Sequence, residues 1–259
     1  MSDVADGWRT AIIDMEPGRI DLRGTPIQDL IGNMSFAEMI WLMVRGDRPG
    51  PAQARLFEAA LVSAVDHGPQ APSIAAARMA VTCGLGLNNA MASAVNMLGD
   101  VHGGAGEQAV ELYHHIAGFD GDIGAALDKW IAERGKIIPG FGHRFHDPVD
   151  PRAPRLMELV AEAVDNGACS GAFARIGQAI EAELHHRKGR AIPMNIDGAT
   201  AVIYAELGFP APLARGLFCL SRSVGILAHA WEQMEQGGRN KGPTPPKYRW
   251  TYTGSHSGE

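Results

Sequence analysis

The chain has 259 residues, 46% of them hydrophobic and 20% charged, with a formal net charge of −6. That length and composition support one large domain or two modest ones around hydrophobic cores, and exclude extensive disorder. The negative balance disfavours a nucleic-acid surface and leaves room for a local cationic pocket in which a few arginines meet a small anion.

In chain order, the amino terminus carries acidic residues and no apolar run, so no signal peptide is expected and a cytoplasmic location follows. TAIID and RIDLR flank Glu16-Pro17-Gly18, which predicts a β-hairpin and the main β element of the chain. Ser35 and Glu38 are spaced as a capping box, with Met34 and Met39 as its staple, ahead of a helix through Trp41 that stops near Gly46. Gly50-Pro51 opens a second helix with Leu56, Phe57, Ala60, Leu61 and Ala64 on one face, ended by His67-Gly68-Pro69.

Met79 to Gly99 holds no charged residue and is long enough to span a bilayer, but its serine, threonine, asparagines and glycines predict a small-residue helix packed among others. GDVHGGAGE, Gly99 to Glu107, follows. It lacks the Lys-Ser/Thr of a phosphate loop, and Gly84-x-Gly86 lacks the third glycine of a dinucleotide fingerprint, so neither nucleotide motif is present. A helix over Asp122–Arg134 with a stop at Gly135 comes next, then PGFGHRFHDPVDPR from Pro139 to Arg152. Two glycines and framing prolines make that stretch a fixed loop able to present His143, Arg144 and Arg152.

Beyond it, Pro154 opens a helix with Leu156, Leu159, Val160 and Ala163 inward, ended by Asn166-Gly167. Phe173, Ile176, Ile180 and Leu184 mark another. Asp197 stands alone at the mouth of an apolar helix ending at Gly208, where a capping carboxylate and a functional acid are both open readings. From Pro212 to about Gln236 a long helix carries an apolar row of Leu213, Leu217, Leu220, Val224, Leu227 and Trp231, with Arg222 embedded in it. The tail from Gly237 reads as an extended arm. Cys83, Cys169 and Cys219 are far apart, odd in number and outside any CxxC pair, as expected of free core thiols. The whole reads as mostly α.

His102, His143 and Asp197 are isolated groups suited to acid/base work. No HExxH or short ligand spacing suggests a metal, no Gly-x-Ser-x-Gly elbow suggests a serine nucleophile, and the His114-His115 and His185-His186 pairs lie in charged helical segments expected at the surface.

PGFGHRFHDPVDPR, together with VDHGPQAPS, GDVHGGAGE, NIDGATAVIYAELGFP and LSRSVGILAHAWEQ in that order, resembles the citrate synthase family over nearly the whole chain. Within the family it is similar to the short citryl-CoA lyase branch and to the citryl-CoA lyase module of ATP citrate lyase. The resemblance implies a citrate synthase-like fold, with 1–104 and 203–259 forming a large helical domain with a carboxyl-terminal arm and 105–202 an inserted small domain. It implies a homodimer, an active site between domains and hinge closure over substrate.

The same resemblance assigns the residues. His102 would hydrogen-bond the thioester oxygen, His143 would move the proton of the carbonyl or hydroxyl oxygen, and Asp197 would move the methyl proton. Arg152, Arg222 and His67 would bind substrate carboxylates, and Phe141, Gly142 and Arg144 would border coenzyme A. No metal and no tightly bound cofactor is implied; a coenzyme A thioester is substrate or product. The expected reaction is cleavage of citryl-CoA to acetyl-CoA and oxaloacetate. The alternatives are condensation to citrate or 2-methylcitrate, and a non-catalytic acyl-CoA-binding subunit. Two departures favour the lyase. His146-Asp147 stands where synthases commonly carry Lys before DPR, and Gly242 precedes Pro243 where they carry Arg, leaving Arg239 or Lys241 as a substitute.

Overall fold

A computed structural model describes residues 7–142, 149–245 and 247–255. Eleven helices and one small sheet are formed by these residues, and the chain divides into two compact units. Residues 1–63 and 105–217 form one, and Ala64–Gly104 with Phe218–Glu259 form the other. This division breaks at 63/64, 104/105 and 217/218. Position 202, the expected end of the inserted domain, lies inside the helix Ile196–Glu206.

In the first unit, β1 (Ile13–Glu16) and β2 (Arg19–Leu22) pair antiparallel with Glu16 opposite Arg19, so Pro17-Gly18 is the hairpin turn read from the sequence. A third strand, β3 (Thr25–Pro26), adds to β2. Two residues give too little pattern to be seen in advance. After the short α1 (Ile27–Leu30) comes α2 (Phe36–Arg45), which starts on the expected capping box: Glu38 N–H donates to Ser35 Oγ at 3.2 Å and Ser35 N–H to Glu38 Oε2 at 2.7 Å. Gly46, at φ 84°, ends it.

The core of this unit is aromatic at its centre. Trp41 of α2 meets Phe57 of α3 (Pro51–Ser63) edge-on at 5.5 Å and Phe209 at 5.0 Å, and Phe57 stacks on Phe209 at 5.2 Å. Arg45 lies over both Trp41 and Phe209 and donates to the Leu207 carbonyl at 2.7 Å, closing the end of a neighbouring helix.

Around that centre pack α6 (Ala105–Ala117), α7 (Ile123–Arg134), α8 (Arg152–Asp165), α9 (Ala172–Lys188) and α10 (Ile196–Glu206), after α4 (Pro72–Thr82) and α5 (Leu87–Val95) of the other unit. Helix α8 starts two residues before Pro154, which occupies its first turn, where a missing N–H costs nothing. Helix α10 is the spine: nine of its eleven residues are buried, and Tyr113 of α6 donates to its Gly198 carbonyl at 3.1 Å. Helix α9 begins at Gly171 with no capping side chain of its own. Glu206, at the end of α10, supplies the missing acceptor, taking N–H bonds from Ser170, Gly171, Phe173 and Ala174.

In the second unit the uncharged stretch is two helices, not one. α4 and α5 are separated by residues 83–86, so neither has the length of a bilayer span. The last helix, α11 (Ala211–Glu235), does have the length and apolar content of one by composition alone, but one face is packed through Ala214, Leu217, Ser221, Arg222, Ile226, Ala230 and Gln233. Of the apolar row read from the sequence, Leu217 is buried, whereas Leu220, Val224, Leu227 and Trp231 are exposed. The packed face mixes the small Ala214, Ser221 and Ala230 with Leu217, Arg222, Ile226 and Gln233, and the large apolar row lies outside it. Cys83 is exposed as well, and Cys169 and Cys219 are half-buried, so the expectation of three core thiols does not hold.

Candidate active site

The sequence-read residues fall into two groups. Asp197, Arg152, Phe141 and Gly142 belong to the first unit, and His67, His102, Arg222 and Arg239 to the second. His143, Arg144, His146 and Asp147 lie outside the described residues.

In the first unit, the PGFG loop is stitched to the head of α10. Gly142 N–H donates to the Pro193 carbonyl at 2.8 Å, Asn195 N–H to the Gly140 carbonyl at 2.9 Å, and Asn195 Nδ2 to the Gly142 carbonyl at 2.6 Å. Phe141 bridges to Met194 and lies edge-on to Tyr113 at 6.5 Å. The loop comes so close that a methyl group on Gly198 would collide with the Gly140 carbonyl, and Gly140 itself takes φ 87°, which L side chains rarely adopt.

Asn195 is also the N-cap of α10. Its Oδ1 accepts from Asp197 N–H at 2.9 Å and Gly198 N–H at 3.2 Å. The capping reading of Asp197 is thereby replaced: Asn195 does that work, and Asp197 sits half-buried in the first turn, where the helix dipole favours a negative charge. The signal was present in the sequence, since Asn is as good an N-cap as Asp.

Arg152 opens α8 and is held by Asp150, whose side chain has no exposure. Arg152 Nε donates to Asp150 Oδ1 at 3.0 Å and Nη2 to Oδ2 at 2.8 Å. Burial alone would raise the Asp150 carboxyl, but the Arg152 hydrogen bonds and charge, with the Ile196 N–H, outweigh it and lower the pKa to about 2.

In the second unit, His102 lies in the turn before Gly103-Gly104 and reaches Ser73, which is fully buried in the first turn of α4. Ser73 N–H points at His102 Nε2 at 3.1 Å, and Ser73 Oγ lies 2.9 Å from the same nitrogen. A backbone N–H can only donate, so Nε2 is the acceptor and the ring proton sits on Nδ1. Burial, and then the charge of Arg222, hold the imidazole below its ordinary pKa, so it stays neutral. Neutral His102 therefore offers one N–H donor, on Nδ1.

Arg222 is buried, donates from Nε to the Ala64 carbonyl at 3.1 Å, and lies over the Phe218 ring at 4.8 Å. His67 is exposed beside Asp66, which accepts from Gly68 N–H at 3.2 Å and meets His229 Nε2 at 3.2 Å. Arg239 is exposed in the arm. Among the described residues no group of three or more His, Cys, Asp or Glu is placed to hold a metal ion. The surface expectation for the histidine pairs holds for His114, His185 and His186. It fails for His115, which is half-buried with Nε2 at 3.1 Å from the Ala126 carbonyl. Ser73, Asp150 and Asn195 were missed in the sequence because each acts on a neighbour rather than on a ligand.

The family model described as citrate synthase, C-terminal domain, matches residues 43–244. A protein named citrate synthase from Haloferax volcanii is 31% identical over 207 residues, covering 78% of this chain and 52% of the relative. The chain thus spans about half the length of the curated relatives it matches. The structure of citryl-CoA lyase from Hydrogenobacter thermophilus matches with a TM-score of 0.87 at 32% identity, covering 97% of this chain and 96% of that one. ATP citrate lyase from Methanothrix soehngenii, solved with citrate and coenzyme A, gives a TM-score of 0.82 over 98% of this chain and 44% of that one. At 20% identity it shares the fold.

Proposed function

The chain belongs to the citrate synthase family, and from that premise we propose that it cleaves citryl-CoA to acetyl-CoA and oxaloacetate. The observation that carries the reading is the end-to-end match to a citryl-CoA lyase, 97% of one chain on 96% of the other, against half-length matches to proteins named citrate synthase.

In the proposed reaction His143 takes the proton of the citryl hydroxyl, and the resulting alkoxide collapses to the oxaloacetate carbonyl as the carbon bond breaks. The bond's electron pair moves into the thioester, giving the enolate of acetyl-CoA. A thioester enolate is costly in water, and the Nδ1–H of neutral His102 is the donor proposed for its oxygen. Protonated Asp197 then delivers a proton to the terminal carbon. One proton leaves oxygen and one arrives at carbon, so the cycle closes when His143 passes its proton on and Asp197 regains one. Arg152, Arg222, His67 and Arg239 hold the carboxylates; the planar guanidinium fork matches a carboxylate at two points. Phe141, Gly142 and Arg144 border coenzyme A.

A homodimer belongs to the same proposal, supported by the exposed row Leu220, Val224, Leu227, Trp231 and Met234 on α11, whose spacing of four, three, four and three makes one apolar stripe. So does the movement of an inserted domain over 105–202 during turnover.

Purified protein given citryl-CoA is expected to produce oxaloacetate, read by NADH oxidation with added malate dehydrogenase. Citryl-CoA left intact, or converted to citrate and free coenzyme A alone, contradicts the proposal. The names of the curated relatives favour condensation as the second reading. Faster release of free coenzyme A from acetyl-CoA plus oxaloacetate than cleavage of citryl-CoA would select it.

A further inference from the structure

Asp150 is a charged side chain with no exposure, and both of its oxygens are used twice. Oδ1 accepts from Arg152 N–H at 3.1 Å and from Arg152 Nε at 3.0 Å. Oδ2 accepts from Arg152 Nη2 at 2.8 Å and from Ile196 N–H at 3.2 Å. A single carboxylate therefore grips the side edge of one guanidinium and the first residue of α10, immediately before Asp197.

The geometry has a chemical consequence. A guanidinium presents two edges that can each take a carboxylate in parallel hydrogen bonds. With the Nε/Nη2 edge closed on Asp150, the Nη1/Nη2 edge remains for a second carboxylate. Nη1 is 3.5 Å from the Ser63 carbonyl, at the limit of a hydrogen bond. Rotation about the last side-chain bonds is blocked by the two contacts to Asp150, so the open edge keeps one direction. Because the Asp150–Arg152 pair is neutral as a whole, a ligand is received by a fixed fork rather than by net charge.

We propose that Asp150 is a positioning residue which sets Arg152 to receive one carboxylate of the oxaloacetate moiety end-on and ties that contact to the start of the helix bearing Asp197. This rests on the reading of Arg152 as a carboxylate ligand, so its test separates the two ideas.

Oxaloacetate and, separately, coenzyme A are titrated calorimetrically into the full-length protein and into Asp150→Asn, Arg152→Gln and the double variant, with circular dichroism as the check of fold. Asp150→Asn is expected to weaken oxaloacetate about tenfold, the scale of a charge-assisted hydrogen-bond pair, while coenzyme A affinity is unchanged. In the Arg152→Gln background the same change is expected to have almost no further effect, since nothing is left to position. Asp150→Glu keeps the charge but displaces it by one methylene; a smaller loss, about threefold, is expected, and it carries the test if Asp150→Asn does not fold.

If Arg152→Gln leaves oxaloacetate affinity intact, the reading of Arg152 fails. If Arg152→Gln weakens binding but neither Asp150 variant does, or if Asp150→Asn is equally harmful with and without Arg152, the positioning role is overturned. Equal losses for oxaloacetate and coenzyme A would also overturn it, by marking a general structural effect.

Discussion

The tautomer of His102 is decided by a backbone N–H. Ser73 offers a backbone N–H to Nε2, and a side-chain substitution cannot remove it. Ser73→Ala is therefore expected to keep the Nδ1–H tautomer and to lose only the hydroxyl contact, with a fall in turnover of a few-fold. His102→Ala removes the proposed donor to the enolate and is expected to cost about 10²–10³ in kcat, the usual scale for an oxyanion donor. Two-dimensional nitrogen–proton NMR of labelled imidazole reads the tautomer directly, and a proton on Nε2 would refute this account of the histidine. Since burial and Arg222 lower the His102 pKa, the ring should stay neutral as pH falls through its ordinary value near 6.5. Any acid limb in kcat/KM near that pH then belongs to another group.

The residues proposed to act on ligands were legible from the sequence because they are isolated in otherwise apolar or glycine-rich contexts. His102 stands between Val101 and a double glycine, and Asp197 at the head of an apolar helix. Residues that act on other residues were not. Asp150 reads as one more acid in a turn until the fold brings Ile196 to it, forty-six positions along the chain. Its depressed pKa carries a stability consequence with a definite sign. A folded-state value of about 2 against an ordinary 3.8 stabilises the folded chain above pH 4, by about 2 kcal/mol. That contribution is lost as pH falls from about 4 through about 2. Asp150→Asn should flatten that part of the curve in acid denaturation followed by circular dichroism.

Among the elements, local chemistry succeeded where the stopping and starting signals are themselves local. The capping box of α2, the Pro17-Gly18 hairpin and Asp122 ahead of α7 all lie where the spacing put them. It failed where a helix is completed from elsewhere. Helix α9 has a glycine at its N-cap, and the acceptor comes from Glu206 across thirty-odd residues, with Oε1 at 2.6 Å from Phe173 N–H and Oε2 at 2.9 Å from Gly171 N–H. Glu206→Ala strips four backbone donors of their partner and is expected to destabilise the chain by about 1–3 kcal/mol. Urea denaturation measures it. A change below a few tenths of a kcal/mol would show that water replaces the carboxylate at no cost.

On the scale of the whole molecule, periodicity identified the apolar row of α11 but not which side of it the chain itself covers. The packed side is the one with Ala214, Leu217, Ser221, Arg222, Ile226, Ala230 and Gln233. The uncovered row is where the proposed second copy would sit. Sedimentation should find a dimer at micromolar concentration, and Leu227→Asp, which places a charge in the stripe, should shift it towards monomer without unfolding. A wild-type monomer at all accessible concentrations would remove the dimer from the account.

Carbon–carbon cleavage through an acetyl-CoA enol protonated on carbon by the protein is tested by cleaving citryl-CoA in deuterium oxide with analysis of both products by mass spectrometry. Acetyl-CoA and oxaloacetate are expected in equal amounts, with one solvent-derived deuterium in the acetyl methyl group. Citrate and coenzyme A as the only products, or acetyl-CoA carrying no deuterium, would contradict it.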